Sequence, residues 1–71
     1  MKLHYFPETD SLHIDLREQS GVDTDEITDG VVLDLDGEGQ SVGIDIQHAS
    51  RTVDLSALET TALPALHLNM A

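Results

Sequence analysis

Val31-Val32-Leu33-Asp34-Leu35-Asp36-Gly37-Glu38-Gly39-Gln40-Ser41-Val42-Gly43-Ile44-Asp45-Ile46 is two alternating runs around a glycine-flanked turn. Val31, Leu33 and Leu35 point one way, with Val32, Asp34 and Asp36 opposite. Val42, Ile44 and Ile46 alternate in the same manner with Gly43, Asp45 and Gln47. Side chains on a strand alternate faces with a period of two, so each run reads as a half-buried β-strand. Residues directly opposite across a ladder share a face. The expected register therefore sets Leu33 against Ile44 and Leu35 against Val42. On the polar face it sets Val32 against Asp45, Asp34 against Gly43 and Asp36 against Ser41.

The same reading extends toward the N-terminus. Leu3 and Tyr5 alternate with His4 and Phe6, and Leu12, Ile14 and Leu16 alternate with His13, Asp15 and Arg17. Pro7-Glu8-Thr9-Asp10 is a turn by composition. A four-residue loop there pairs Tyr5 with Leu12, Leu3 with Ile14, His4 with His13 and Lys2 with Asp15. Gln19-Ser20-Gly21 breaks the second run. Residues 22–28 form a polar segment that reads as an edge strand, blunted by Asp23, Asp25 and Glu26. Asp29-Gly30 is a hairpin signal whose loop has two or three residues, so the register of that strand stays open. Gly30 and Gly39 are the positions where the turns need positive φ.

Past Ser50 the period changes. Leu55, Leu58 and Ala62 have helical spacing, Asp54 is a candidate N-cap, and Ser56 with Glu59 has capping-box spacing. Pro64 would end the helix. Leu66-His67-Leu68-Asn69-Met70 alternates again, as a further strand, a segment exchanged between chains, or a disordered tail. The expected fold is thus α+β. It is a single domain over residues 1–71, with an antiparallel β-meander of about five strands over 1–48. A C-terminal helix over 50–63 packs on the apolar face, and 64–71 is a tail.

Composition limits function. The 71 residues carry 3 Lys and Arg against 14 Asp and Glu, a net charge of −11. Leu, Ile, Val and Phe number 20, enough for the chain to fold despite that charge. A chain this short has a small core and gains from a partner, a metal or self-association. With no cysteine, disulfides and thiolate metal sites are excluded. Lys2, Arg17 and Arg51 are the basic side chains available for phosphate, which makes nucleic acid a poor partner. No leader or membrane-spanning run is visible, and a cytoplasmic location is expected.

Two stretches carry a resemblance. One is the opening Met-Lys-Leu-His-Tyr-Phe-Pro-Glu-Thr-Asp-Ser-Leu; the other is Gly30-Val31-Val32-Leu33-Asp34-Leu35-Asp36 followed by Gly39, Val42, Gly43, Ile44 and Ala49-Ser50. They resemble the domain of unknown function 2283 family, over roughly residues 1–51. The chain departs at Phe6, where the family usually has an acidic residue, at Asp45, usually Glu, and near Gln47, where the family usually has an apolar residue. The resemblance implies a compact antiparallel β-meander. It also implies an antitoxin-like role, since some members are thought to be encoded beside small toxin-like proteins.

Three constellations bear on chemistry. Asp34-x-Asp36-x-Glu38-Gly39-x5-Asp45 approximates a calcium-loop spacing, but strands rather than helices flank it. Asp34, Asp36, Glu38 and Asp45 are accordingly the candidate ligands of a divalent-cation domain. His4 and His13, opposite each other on one face, are a second candidate metal pair, with Asp15 or a partner chain completing the site. Ser11, Ser20, Ser41, Ser50 and Ser56 have no base at a recognisable spacing, so no enzymatic activity and no cofactor are expected. The leading expectation is a small acidic protein-interaction module that self-associates and binds a basic partner. Its surface would comprise Asp15, Asp23, Asp25, Asp34, Asp36 and Asp45 with Leu66, Leu68 and Met70 of the tail.

Overall fold

The computed structural model describes residues 1–62 and 64. Among these residues five strands form one antiparallel sheet: β1 (Lys2–Phe6), β2 (Ser11–Asp15), β3 (Asp23–Thr28), β4 (Val31–Leu35) and β5 (Ser41–Ile46). A single helical turn, α1 (Ala49–Thr52), follows.

The first hairpin has the register the alternation requires, with Lys2 opposite Asp15, Leu3 opposite Ile14, His4 opposite His13 and Tyr5 opposite Leu12. β3 and β4 are joined by the two-residue loop Asp29-Gly30, since Thr28 pairs with Val31, and the ladder shifts around Ile27. Gly30 and Gly39 have φ of 80° and 79°, the left-handed region open to glycine.

The strand order corrects the expected meander. It runs β1-β2-β5-β4-β3, so β5 returns to the middle and pairs with β2. The patterning supplies the reason. Leu12 and Ile14 need apolar neighbours on both sides, and β5 offers Ile46 and Ile44 directly opposite them. β3 has one apolar residue, Ile27, among Asp23, Thr24, Asp25, Glu26 and Thr28, and takes the far edge beside β4. The 16–22 connection crosses the end of the sheet to get there. The Leu16 amide donates to the Val42 carbonyl (2.9 Å), and the Val22 amide donates to the Leu35 carbonyl (2.8 Å).

A second correction lies in the β4–β5 hairpin. Leu33–Ile44, Val32–Asp45 and Asp34–Gly43 pair as expected, but a bulge follows Asp34 and Leu35 then faces Ser41 rather than Val42. A bulge adds a residue to one strand and re-aims its side chains. Val42 is almost fully buried (2% exposed) and packs near Gly21 of the crossing segment.

The apolar face carries two cross-strand rows, Tyr5–Leu12–Ile46–Val31 and Leu3–Ile14–Ile44–Leu33. Leu12, Ile46 and the wholly buried Ala49 form its centre, flanked by Leu3, Tyr5, Ile14, Val31, Ile44 and Val53. The expected helix over 50–63 is reduced to the α1 turn. Val53 is extended at its C-terminus, and Asp54 folds onto Ser56 in a local turn, accepting from the Ser56 amide at 3.0 Å. Three apolar positions, two of them the exposed Leu55 and Leu58, give too little burial to offset the cost of nucleating a short helix. Val53, Leu55 and Leu58 instead line a groove with Leu3, Tyr5 and Leu12. The expected tail contacts of Leu66, Leu68 and Met70 lie outside the described residues.

Candidate functional site

The polar face is built by the same ladder. Opposite residues share a face, so two rows run across it: His4–His13–Asp45–Val32 and Lys2–Asp15–Gly43–Asp34. The pairing of β2 with β5 thereby sets His13 beside Asp45. Gly43 lies between Asp15 and Asp34 and has no side chain to keep them apart.

His13 is held at both ring nitrogens. Nδ1 faces the Asp45 carboxylate, and Nε2 lies 2.8 Å from Asp15 Oδ1. The hydrogen bond to Asp45 is the main influence holding the imidazole above its ordinary value; burial works against it, and Asp15 adds to it. Asp34 is raised in turn, first by burial and then by the hydrogen bond and like charge of Asp45. Two carboxyls this close favour sharing a proton. One ligand atom each from His13, Asp34 and Asp45 lie within 4.8 Å of one another. His13, Asp15 and Asp34 also line an open groove of about 1060 Å³, bordered by residues 17–24.

The remaining sequence candidates are placed differently. Asp36 is buried and turns into its own hairpin. Its Oδ1 accepts from the Glu38 and Gln40 amides at 2.8 and 2.9 Å, and its Oδ2 accepts from Arg17 at 3.3 Å and Gln19 at 3.4 Å. These donors hold its carboxyl below the ordinary value, the backbone amides foremost. Glu38 is exposed at the turn, so Asp34 and Asp45 separate from Asp36 and Glu38 and join His13. His4 is the ladder partner of His13 but packs on Phe6, ring centroids 4.2 Å apart. Asp23 and Asp25 are exposed on β3, whereas Asp15 is half-buried against His13.

A second cluster escaped the sequence reading. Asp10 Oδ1 accepts from the Tyr5 hydroxyl at 2.7 Å and the Ser50 amide at 3.1 Å, and Oδ2 accepts from the Ser50 hydroxyl at 2.6 Å. The Asp10 carbonyl accepts from the Ala49 amide at 2.8 Å. The α1 N-cap residue, His48, makes no side-chain cap, so Asp10 supplies these acceptors from the β1–β2 turn. Ser50 and Tyr5 hold the Asp10 carboxyl low, and Asp10 pushes the Tyr5 hydroxyl up. The signal was available: Tyr5, Asp10 and Ala49-Ser50 all belong to the stretches that carry the resemblance.

Among the described residues no helix is long and apolar enough to cross a membrane. No curated protein and no solved structure matches the chain. Over residues 2–50 the chain matches the family model described as protein of unknown function (DUF2283), and it belongs to that family.

Proposed function

We propose that the domain is an acidic protein-interaction module that docks a basic partner chain along β3. The observation that supports this most is the state of that strand. Among the described residues β3 is at the sheet edge, pairs on one side only, and exposes all six of its residues, among them Asp23, Asp25 and Glu26. A free edge offers backbone donors and acceptors to an added strand, and the carboxylates favour one rich in Lys and Arg. Two β3 edges brought together would oppose like charges. Self-association is therefore assigned to the exposed Leu55 and Leu58 rather than to β3. An antitoxin-like role, a small acidic chain masking a basic one, is the concrete form of this reading.

The module acts by binding rather than catalysis. A peptide of alternating Lys and Val titrated into the isotope-labelled domain tests the docking. The amides of residues 23–28 are expected to shift, with affinity falling as salt rises. Shifts confined to other strands, or an affinity indifferent to salt, would refute it. Sedimentation at several concentrations tests self-association, and a monomer throughout removes that part.

A further inference from the structure

We propose that His13, Asp34 and Asp45 form a binding site for one divalent first-row transition cation, with zinc the best match. The ligands would be Nδ1 of His13 and one oxygen from each carboxylate.

Donor chemistry selects the ion. Calcium takes six to eight oxygens, whereas an imidazole with two carboxylates suits zinc and its neighbours. Tetrahedral zinc with bonds of about 2.0–2.1 Å sets its donors roughly 3.3–3.4 Å apart. Donor atoms already within 4.8 Å of one another lie near that spacing. Three protein ligands leave a fourth position facing the groove, for water or a partner's side chain.

Three further features point the same way. Asp15 accepts at Nε2, which leaves Nδ1 on the Asp45 side. A carboxylate on the far nitrogen is the usual means of orienting a metal-binding histidine. Gly43 keeps the centre open: a Cβ there would lie 2.9 Å from Asp34 Oδ2 and 3.4 Å from His13 Cε1. Finally, the charges are not balanced locally. Among the described residues Asp15 and Asp45 form ion pairs with His13 alone, Asp34 forms none, and Arg17 is engaged by Asp36. A divalent cation replaces the protons at this cluster and neutralises the excess negative charge.

Zinc chloride titrated calorimetrically into the chelator-treated domain tests the site, with native mass spectrometry reporting retained metal. Saturable binding of one ion per chain is expected. Asp34→Asn and His13→Gln should each weaken it by more than about tenfold, since even outer-shell changes cost 10–100-fold. His4→Gln should leave it unchanged. Absence of saturable binding, or equal affinity in the Asp34 and His13 variants, overturns the proposal. So does loss on His4→Gln, which would move the site to the histidine pair. Circular dichroism checks folding. Should His13→Gln unfold, Asp34→Asn decides alone, because it is nearly isosteric and relieves like-charge repulsion. None of these measurements depends on β3, so the result is separable from the docking reading.

Discussion

Asp10 and Asp34 are the same side chain put to opposite uses. Asp10 is ringed by donors: the Tyr5 hydroxyl and the Ser50 amide and hydroxyl converge on it. Asp34 is pushed the other way, first by burial and then by the Asp45 carboxyl it faces. A carboxylate surrounded by donors has its charge satisfied and serves as a structural clasp. One surrounded by carboxylates carries an unmet demand for positive charge. Both are half-buried. The donors around Asp10 outweigh the effect of its burial, whereas Asp45 adds to that of Asp34.

The clasp is where substitution should do most damage. Asp10→Ala removes three side-chain hydrogen bonds, two of them from Ser50 of α1, and leaves the bond from the Ala49 amide to the residue-10 carbonyl as the hydrogen bond between α1 and the β1–β2 turn. Thermal unfolding should show a large fall in Tm, in a domain whose small core leaves little reserve. An unchanged Tm would show that core contacts and the Ala49 backbone bond suffice to hold α1, and the contrast with Asp34 would collapse.

The clasp also fixes a pH dependence. Asp10 lies below its ordinary value of 3.8 when folded. A lowered carboxyl contributes stability that is complete above the unfolded value and is lost as pH falls through the folded one. Acid unfolding of the wild type should therefore contain a component below about pH 4 that Asp10→Asn lacks. Superimposable acid-unfolding profiles would remove Asp10 from the account.

How much of this was legible follows from where the chain is regular. The β1–β2 register could be read because a four-residue loop and strict alternation on both strands leave one solution. The β4–β5 register could be read as far as Asp34–Gly43 and then failed at the bulge: a glycine inside a strand, here Gly43, signals a bulge or a close approach but does not say which residue is extra. The β2–β5 pairing is not fixed by local spacing, although a signal existed: Leu12 and Ile14 need two apolar neighbours, and β3 has one, Ile27. That omission hid the His13–Asp45 contact. The spacing of Leu55, Leu58 and Ala62 suggested a helix, but three positions do not outweigh the cost of nucleation where Asp54 favours a local turn.

Gly43 tests the other half of the comparison with a smaller effect. A methyl at Gly43 meets Asp34 Oδ2 at 2.9 Å and the Ile14 carbonyl at 3.3 Å. Gly43→Ala should cost about 1–3 kcal/mol, the range for overpacking. In an Asp34→Ala background most of that cost should vanish, a coupling of roughly 0.5–3 kcal/mol in a double-mutant cycle. Additive effects would mean that the penalty comes from the Ile14 backbone, and Gly43 would no longer be the residue that makes room for Asp34.

The smallest effect carries the opposite sign. Asp34→Asn keeps the shape of the side chain, removes a negative charge from beside Asp45, and gives the amide a hydrogen bond to donate there. Near neutral pH its stability should equal or exceed that of the wild type, within about 1 kcal/mol. The same exchange at Asp10 cannot help, because the Asn amide would point a donor at Tyr5 or Ser50, which already donate. Denaturant titration of Asp10→Asn and Asp34→Asn side by side therefore asks for opposite signs from one chemical change. A clear loss in Asp34→Asn would mean that the Asp34 charge is needed to balance the His13 imidazolium. Asp34 would then belong with Asp10 among the clasps, and it would have no charge to spare for a cation.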